Sequence, residues 1–453
     1  MATPNSDPLV NSERSYHEEP ILIGPLIITV VTLCAVVAIF VIYFVNSESG
    51  YLGDDSSFLF INDIHIDPLY NENNSFISGE FCRGTTVSGY FPFGQYGCDL
   101  PNKSYLSFLN YLKSDSISKP SFVVFAGDSV AHDSGLNMNG VAGVFKYIVD
   151  SASSALGGVP VYTVLGNNDY VPNYGTWETD LANFENIGNV MSNHLKDTEL
   201  ATFKTGGYYY KDFIHQKLRI LFLNSVIYNV RRTLNESRVD PYYQFDFIRK
   251  SSEEALAKGY KIGVIMHISP GITYYDLNQG FHTFYANVFY NLSKQYNFRF
   301  VLTGHSHIDI FVPLQLNNQK PVEFSMSSPS LSPAHVNNPG FRIYDLLDGE
   351  ISNYVQYYAD IMLNPSDNLN WQEEYTFDDG YKQKNVSNNA IAQAVEWIST
   401  TGEGMWRYRE RIYARADDQN SFFYCILRCR TKAEVENCTK GINTLGLWPY
   451  GGD

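Results

Sequence analysis

Seven side chains that can bind a metal ion follow closely after runs of apolar residues. The runs have the length and the β-branched or aromatic content of buried strands. Five such runs occur, at residues 58–61, 122–126, 161–165, 262–266 and 300–303. The side chains after them are Asp63, His65, Asp128, Asn167, His267, His305 and His307. Polar residues end most strands, so one case means little, but all five runs end in this way.

These side chains have the chemistry of a two-metal site. Loops beyond the carboxyl ends of strands in an α/β sheet converge on one crevice, so the seven residues are expected to meet in space. The set combines carboxylate and amide oxygens with imidazole nitrogens and has no thiolate, which suits Zn2+, Mn2+ or Fe. Seven ligands are too many for one ion, whereas two ions that share a carboxylate would use them all. We therefore expect two divalent metal ions, with Zn2+ favoured.

The chain divides into segments of different composition. Residues 58–348 alternate apolar runs with amphipathic stretches, which is typical of an α/β domain. Residues 349–453 are aromatic, rich in Asn and more helical, and we expect a mainly helical C-terminal subdomain that contains cysteines. Residues 46–57 have the composition of a short polar linker, and residues 1–20 form a polar tail.

An apolar stretch near the start predicts a membrane anchor. Residues 21–45 carry no charged side chain and are long enough to span a bilayer with some tilt. A cleaved signal peptide has a shorter apolar region, of about 7–15 residues, after a basic stretch. Here only Arg14 is basic before the apolar stretch. The pattern predicts an uncleaved signal anchor of a single-pass type II membrane protein. The tail would be cytoplasmic, and the catalytic domain would face a lysosome- or vacuole-like lumen or the cell exterior.

Sequons and cysteines after residue 45 are typical of an exported domain. The candidate glycosylation sites are Asn73, Asn102, Asn235, Asn291, Asn385 and Asn437. The cysteines in this part lie in two clusters, which are Cys82 with Cys98, and Cys425, Cys429 and Cys438. Short spacing in an exported domain indicates disulfides, and Cys82, Cys98, Cys425 and Cys429 are the candidates. Because five is odd, one cysteine is left over, and which one of the C-terminal cluster stays unpaired is open.

The charge of the chain argues against one class of partner. The 453 residues include 48 acidic and 32 basic side chains, for a net charge of -16. A strongly acidic surface repels duplex nucleic acid. Phosphorylated small molecules are still compatible with it, because bound metal cations supply a positive field.

The five motifs together resemble those of the calcineurin-like metallophosphoesterases. The motifs are Asp63-x-His65, Gly127-Asp128, Gly166-Asn167, His267 and Gly304-His305-x-His307. Their order and spacing match that family across residues 58–310, and the ordered set is far more specific than any one motif. The resemblance implies an α/β fold built as a four-layer α/β/β/α sandwich.

Further residues resemble the acid sphingomyelinase-like phosphodiesterase branch of that family. They are His132, the segment His267-Ile-Ser-Pro-Gly271, the segment Gly304-His-Ser-His-Ile-Asp309, and Asn338-Pro-Gly-Phe-Arg342. By this resemblance one ion is held by Asp63, His65, Asp128 and His307. The other is held by Asp128, Asn167, His267 and His305, with Asp128 as the bridge. A hydroxide between the ions would then attack phosphorus in line, and His132 is the candidate donor of a proton to the leaving oxygen.

The sequence departs from the branch in two respects. Asn168 stands where the family has a histidine directly after the metal-binding Asn, so we include Asn168 among the candidate catalytic residues. The run Asn167-Asn168-Asp169 also resembles endopolyphosphatases of the same superfamily. In addition, residues 46–57 are too few for the saposin-like, lipid-extracting domain of acid sphingomyelinase. Soluble phosphodiesters, nucleotides or polyphosphate are therefore better candidate substrates than sphingomyelin in a bilayer.

Several interpretations stay open at this stage. The leading hypothesis is a phosphodiesterase or pyrophosphate-cleaving ectoenzyme, and the alternative is an endopolyphosphatase. A non-catalytic surface receptor is less favoured, since the seven ligands are all present. His132 favours diesters over a phosphomonoesterase, and a sphingomyelinase is less favoured because the chain lacks room for the saposin-like domain. The other histidines, including His282 and His335, fit no spaced pattern and are interpreted as surface or satisfied core residues. Asp309 either orients His307 or ends a loop.

Overall fold

The computed structural model describes most of the chain beyond the predicted anchor. The described residues are 55–74, 81–87, 89–235, 237–274, 276–317, 320–363, 367–414 and 423–440. The tail at 1–20, the predicted anchor at 21–45 and most of the predicted linker lie outside them. Across the described ranges, no helix combines the length and the apolar character that a membrane crossing needs.

Twelve strands in the described part of the chain form two six-stranded sheets. The strands are β1 (Ser57–Ile61), β2 (Phe122–Phe125), β3 (Val161–Thr163), β4 (Tyr209–Phe213), β5 (Leu218–Leu223), β6 (Lys261–Met266), β7 (Val301–Thr303), β8 (Ile310–Asn317), β9 (Lys320–Ser327), β10 (Gly340–Leu347), β11 (Glu350–Ala359) and β12 (Trp371–Thr376). Sheet 1 has the order β12-β11-β10-β1-β2-β3, and sheet 2 has the order β4-β5-β6-β7-β9-β8. The five predicted apolar runs correspond to β1, β2, β3, β6 and β7.

The strands that precede the candidate ligands run parallel within each sheet. In sheet 1, β1 pairs with β2 and β2 with β3 in parallel. In sheet 2, β5, β6, β7 and β9 are parallel in that order. Antiparallel strands complete both sheets at their edges. The carboxyl ends of the parallel strands therefore point to the same edge of each sheet.

Helices cover the sheets. The α-helices are α1 (Asn102–Lys113), α2 (Met138–Ala155), α3 (Asp180–Val190), α4 (Asp197–Gly206), α5 (Gln244–Ala257), α6 (Thr283–Tyr296), α7 (Phe377–Tyr381), α8 (Asn388–Thr400), α9 (Gly402–Arg411), α10 (Phe423–Ile426) and α11 (Lys432–Cys438). Helix α2 packs on β2 and β3, α5 packs on β5 and β6, and α8 packs on β9. The side chain of Asn137 accepts a hydrogen bond from the Gly140 N–H at 3.0 Å and so caps the start of α2.

Aromatic side chains form much of the contact between the two sheets. The ring of Phe122 on β2 stacks on that of Phe213 on β4 at 4.5 Å. The rings of Tyr162 and Phe222 lie 5.6 Å apart. The hydroxyl of Tyr209 on β4 donates a hydrogen bond to the main-chain carbonyl of Thr163 on β3 at 3.0 Å. The sheets thus share a core of large buried side chains, whose burial is a main source of stability.

Sheet 1 continues beyond the boundary predicted at residue 348. Strand β11 pairs with β10 in antiparallel register, and β12 pairs with β11. The first part of the predicted C-terminal subdomain thus supplies two strands to the sheet that carries Asp63. The helical part of that segment begins with α7. Buried and more exposed residues alternate along much of β11, which is typical of a strand with one face in the core, and β12 adds to its free edge.

Candidate metal centre

The two sheets deliver all seven predicted ligands to one buried place. Asp63 and His65 follow β1, Asp128 follows β2, and Asn167 follows β3 in sheet 1. His267 follows β6, while His305 and His307 follow β7 in sheet 2. The seven side chains are buried. Two groups of potential ligand atoms, each within 4.8 Å of one another, contain Asp128; they are Asp63–His65–Asp128 and Asp128–His267–His305.

Asp128 and Asp63 lie at the centre of the imidazoles. The Oδ2 atom of Asp128 is 3.5 Å from Nε2 of His65 and 3.2 Å from Nε2 of His267. The Oδ1 atom of Asp63 is 3.4 Å from Nε2 of His307, and 3.8 Å from Nε2 of both His65 and His267. Donor atoms from both sheets thus surround the two carboxylates.

Asn167 and His305 complete the set from opposite sheets. The Oδ1 atom of Asn167 lies 3.3 Å from Nε2 of His267. The main-chain N–H of His305 donates to Oδ2 of Asp63 at 2.8 Å and to Oδ1 at 3.1 Å. A Cβ atom at Gly304 would lie 2.7 Å from Oδ2 of Asp63, so glycine is needed there for the two loops to approach.

The backbone of the site is held in an uncommon conformation. Five of the seven residues have positive φ values; they are Asp63 (47°), His65 (45°), Asp128 (60°), His305 (66°) and His307 (60°). Left-handed backbone is unfavourable for residues with a side chain, and it persists where the surroundings over-determine it. Such strained residues cluster at functional sites, and here they are the candidate ligands themselves.

The hydrogen bonds of two histidines fit a divalent metal ion. The Nδ1–H of His65 donates to the carbonyl of Val130 at 2.9 Å, and that of His267 donates to the carbonyl of Ala126 at 2.8 Å. A neutral imidazole that donates from Nδ1 carries its lone pair on Nε2, and both Nε2 atoms face the Asp128 carboxylate. Among the described residues, Nε2 of His65 has no hydrogen-bond partner although it is buried. A cation between these lone pairs and the carboxylate would satisfy both.

The charges at the site influence one another strongly. Burial by itself lowers the pKa of His267, but the carboxylates of Asp128 and Asp63 outweigh it and raise that pKa to about 9. Burial favours the neutral form of Asp63, but His307 and His267 hold its pKa well below the ordinary value. Without a bound metal ion, a protonated His267 would therefore supply part of the positive charge beside the two carboxylates. Protons and metal ions are thus expected to compete at this site.

Asp169 holds the ends of β2 and β3 together beneath the site. One carboxylate oxygen accepts from the N–H of Asp128 at 2.9 Å and from that of Gly166 at 2.8 Å. The other accepts from the N–H of Ser129 at 2.8 Å. Burial and the neighbouring Asp128 raise the pKa of Asp169 to about 6. Sequence reasoning noted the Asn-Asn-Asp run but assigned no role to this carboxylate.

Asn168 contacts the central carboxylate. Its main-chain N–H donates to Oδ1 of Asp128 at 2.7 Å, and its Nδ2 donates to Oδ2 at 3.1 Å. Asn168 is buried, with 6% of its surface exposed. A catalytic role for Asn168 stays a prediction, but its amide can orient the carboxylate that both ligand groups share.

His132 lies beside the ligands and is held by an unpredicted partner. Its ring stacks on that of His65 with centroids 4.2 Å apart, and it is 6% exposed. Its Nδ1–H donates to Oδ1 of Asp99 at 2.9 Å. Burial raises the pKa of Asp99, but His132 outweighs it and lowers that pKa below the ordinary value. His132 also forms a group of potential ligands with His65 and His307, so it is placed to bind an ion or to transfer a proton.

His335 also lies close to the candidate ligands. Its ring centroid lies 4.1 Å from that of His307 and 6.3 Å from that of His132. It was interpreted as a surface or core histidine because no motif spacing marks it. By contrast, Nε2 of His282 lies 2.9 Å from the carbonyl oxygen of Arg232, in agreement with a structural role.

Asp309 does not orient His307. Its carboxylate forms an ion pair with Arg342 at 2.5 Å and accepts a hydrogen bond from the hydroxyl of Tyr375. These partners lie on β10 and β12 in sheet 1. The strand pairing therefore directs the carboxylate away from the imidazole two residues before it.

The part of the chain that the structure describes contains two disulfides, one of which differs from the predicted candidates. Cys82 pairs with Cys98, with Cα atoms 5.8 Å apart. Cys425 pairs with Cys438, whose Cα atoms are 5.7 Å apart. Of the cysteines in the described ranges, Cys429 is free and buried, so its place among the disulfide candidates is corrected. Helix α11 turns the chain back so that Cys438 meets Cys425, whereas Cys429 lies one helical turn from Cys425 and donates its N–H to the Cys425 carbonyl.

The predicted glycosylation sites lie at or near the surface. Asn235 is half-buried and the others are exposed, namely Asn73, Asn102, Asn291, Asn385 and Asn437. Their accessibility is compatible with glycans. Glycosylation itself stays a prediction.

Comparison with known proteins identifies relatives over most of the chain. The chain is 23% identical to the cyclic GMP-AMP phosphodiesterase SMPDL3A of Rattus norvegicus, over 83% of this chain and 87% of the relative. It is 26% identical to sphingomyelinase phosphodiesterase C of Dictyostelium discoideum, over 78% and 84%. It is 23% identical to acid sphingomyelinase-like phosphodiesterase 3b of Homo sapiens, over 81% and 84%.

Solved structures with some similarity include two phosphatases. The purple acid phosphatase PPD1 of Lupinus luteus matches with a TM-score of 0.42 and 13% identity, over 71% of this chain and 53%, about half, of the lupin enzyme. A dimetal phosphatase of Danio rerio matches with a TM-score of 0.41 and 11% identity, over 67% and 95%.

The chain also matches a model of a protein family. The model described as calcineurin-like phosphoesterase matches residues 56–309, which is more than half of the 453 residues. This range contains the seven candidate ligands and His132. The chain belongs to the calcineurin-like phosphoesterase family, as a metal-dependent phosphodiesterase with acid sphingomyelinase-like relatives.

Proposed function

We propose that this protein hydrolyses soluble phosphodiesters or the phosphoanhydrides of nucleotides with two divalent metal ions. The observation that carries the proposal is the pair of ligand groups that share Asp128, with His132 stacked beside one of them. Zn2+ is the favoured ion because the donors are imidazoles and carboxylates without thiolates. The fold would then be the four-layer α/β/β/α sandwich of this family.

One ion would be held by Asp63, His65, Asp128 and His307. The other would be held by Asp128, Asn167, His267 and His305. Asp128 is the natural bridge because its Oδ2 faces imidazoles from both groups. When bound, the two ions would activate the attacking water and neutralise charge on the phosphoryl oxygens.

The protein's own residues would then complete the reaction. Hydrolysis forms a bond from the water oxygen to phosphorus and breaks the bond from phosphorus to the leaving oxygen. His132 would give that oxygen a proton from Nε2, since its Nδ1 is engaged with Asp99. Solvent at the mouth of the site, where His132 is slightly exposed, would restore the proton.

The names of relatives and the charge of the chain support the proposed substrate class. One relative acts on cyclic GMP-AMP by its name, which supports a nucleotide-type phosphodiester as substrate. Asn168, in place of a histidine, favours an endopolyphosphatase as the alternative. Duplex nucleic acid is disfavoured by the net charge of -16. We further propose a type II membrane protein anchored at 21–45, with a glycosylated catalytic domain outside the cytosol.

The test uses the full chain purified in detergent. Metal content is measured, and hydrolysis of bis-p-nitrophenyl phosphate, ATP, p-nitrophenyl phosphate and polyphosphate is compared with and without a chelator. We expect about two metal ions per chain and cleavage that the chelator abolishes. Preference for the diester supports the proposal, preference for polyphosphate supports the alternative, and preference for the monoester or no turnover contradicts both.

A further inference from the structure

His132 is held by both oxygens of one buried carboxylate. The Nδ1–H of its ring donates to Oδ1 of Asp99 at 2.9 Å, and its main-chain N–H donates to Oδ2 of Asp99 at 2.8 Å. Asp99 is fully buried, and the hydroxyl of Ser332 lies 3.4 Å from its Oδ1. Asp99 therefore sets both the position of the backbone at His132 and the rotation of its ring.

Arg83 holds the same histidine from its carbonyl side. Its Nη2 donates to the main-chain carbonyl of His132 at 2.7 Å, and its Nη1 donates to that of Asp133 at 3.2 Å. Its Nε donates to Oδ2 of Asp67 at 2.8 Å, which fixes the guanidinium plane. Arg83 also lies 3.8 Å from Oδ2 of Asp99. The two residues thus form one connected network around His132.

Both residues come directly after the cysteines of one disulfide. Arg83 follows Cys82, and Asp99 follows Cys98. The described residues between β1 and α1 form no helix or strand. Isolated main-chain hydrogen bonds hold this stretch, such as that from the Asp67 N–H to the Leu100 carbonyl at 2.9 Å, and the disulfide adds a covalent link to them. The bond between the two buried cysteines brings their Cα atoms to 5.8 Å and fixes the two following residues relative to each other.

We propose that the Cys82–Cys98 disulfide holds the proton donor His132 in position, and that Asp99 and Arg83 are positioning residues that act through His132. The inference rests on the proposed function, in which His132 protonates the leaving oxygen. It adds that this transfer depends on a disulfide outside the metal site. Asp99 accepts from Nδ1 and so keeps the opposite nitrogen, Nε2, directed to the site.

A comparison of two leaving groups separates the loss of a well-placed proton donor from a general loss of protein stability. A p-nitrophenolate leaving group departs as a stable anion, whereas an alkoxide must receive a proton as its bond to phosphorus breaks. Thymidine 5′-p-nitrophenyl phosphate and the dinucleotide TpT share a thymidine phosphoryl group but differ in this respect. Loss of a well-placed proton donor should therefore slow TpT hydrolysis far more than hydrolysis of the p-nitrophenyl ester.

The experiment compares variants of the full chain, loaded with metal, on both substrates. For Asp99→Asn we expect kcat on TpT to fall about 100-fold, as for loss of general acid catalysis, with little change on the p-nitrophenyl ester. Arg83→Gln should show the same selectivity with a smaller loss. Metal content and melting temperature are measured for each variant, and a crystal structure of Asp99→Asn should show the His132 ring rotated.

Two matched controls come from the chain itself. Asp150 pairs with His194 at 3.1 Å on the surface, so Asp150→Asn removes a His–Asp pair elsewhere and should change neither rate. Cys425 and Cys438 are separated by 13 residues and Cys82 and Cys98 by 16, so the two disulfides close loops of similar length. The double variant Cys82→Ser/Cys98→Ser should lose TpT activity selectively, whereas Cys425→Ser/Cys438→Ser should affect both substrates alike.

The outcomes separate the inference from the proposed function. If His132→Ala is selective against TpT but Asp99→Asn slows both substrates equally, the positioning role is wrong and the proton donor stands. If His132→Ala lacks selectivity, His132 is not the proton donor, and the proposed positioning role of the disulfide is wrong as well. If the double variant of Cys82 and Cys98 does not fold, Asp99→Asn and Arg83→Gln still decide the positioning role.

Discussion

The guanidinium of Arg342 lies 2.5 Å from Oδ1 of Asp309, and both side chains are fully buried. Asp309 follows the ligand His307 by two residues, and its N–H donates to the carbonyl of Ile412 at 2.9 Å. The hydroxyl of Tyr375 on β12 donates to the other carboxylate oxygen. The loop that carries two candidate ligands is thus tied to sheet 1 and to the end of α9.

Removal of the arginine should destabilise the protein strongly. Arg342→Met leaves the Asp309 carboxylate buried without its cation, and loss of one partner of a buried pair costs about 3–5 kcal/mol. The free energy of unfolding in urea measures the effect. As a control, Arg299→Met removes an exposed pair with Glu350 and should cost about 1 kcal/mol or less. Equal effects of the two variants would mean that the buried pair has no special role.

Glu374 should make the protein less stable as the pH rises from acid to neutral. Burial raises the pKa of its carboxyl from 4.5 to about 8, although Gln356 donates to it at 2.6 Å. The unfolded chain loses this proton near pH 4.5, whereas the folded chain keeps it until about pH 8. The contribution of Glu374 to stability is therefore complete below pH 4.5 and is lost as the pH rises to about 8.

Unfolding experiments between pH 5 and 8 test this sign. In chelator, the free energy of unfolding of Glu374→Gln should fall less with pH than that of the wild type. Glu373→Gln, which changes an exposed neighbour, should follow the wild type. An equal fall for Glu374→Gln and the wild type would show that the carboxyl is ionised in the folded protein and would contradict the raised pKa.

Asp128 should be required for both metal ions. Its carboxylate belongs to both ligand groups, so Asp128→Ala removes a ligand from each. We expect metal content well below the two ions of the wild type and loss of hydrolysis. Metal analysis by mass spectrometry after gel filtration measures this, with the exposed Asp115→Ala as the control. A variant that keeps both ions and its activity would exclude Asp128 as the bridge.

His132 should act on turnover without holding metal. His132→Ala should lower kcat by about 100-fold or more, the usual contribution of general acid catalysis, while metal content is retained. The structure also places His132 within a group of potential ligands with His65 and His307, so the metal measurement is decisive. Loss of an ion on substitution would make His132 a ligand and would require another proton donor.

Cys429 should be the free thiol of the C-terminal cluster. Its burial raises the thiol pKa to about 11, so it should react slowly with iodoacetamide in the folded protein. After denaturation without reductant it should be alkylated, whereas Cys425 and Cys438 should be recovered as one linked peptide. Peptide mapping by mass spectrometry gives the answer, and a peptide that links Cys425 to Cys429 would contradict the structure.

The candidate ligands could be found from the sequence because their signal is local. Each one follows an apolar run, and a parallel sheet brings the carboxyl ends of its own strands together. Asp63, Asp128 and His267 can therefore be identified without any structure, and so can the metal-binding chemistry of the set to which they belong. The composition of residues 21–45 predicts an anchor in the same local way, and it lies outside the described residues. The packing of sheet 1 on sheet 2, which brings the two sets of ligands to one site, is decided by the tertiary structure.

Contacts between distant segments were decided by the tertiary structure. Asp99 lies 33 residues before His132, and nothing near it in the chain marks it as the partner of an imidazole. The sequence predicts that Asp309 either orients His307 or ends a loop, but sheet pairing brings Arg342 to its carboxylate. The helical turn back to Cys438 likewise selects one of several possible disulfides. A sequence determines which groups are available and where strands end, whereas burial and strand pairing decide which of those groups meet.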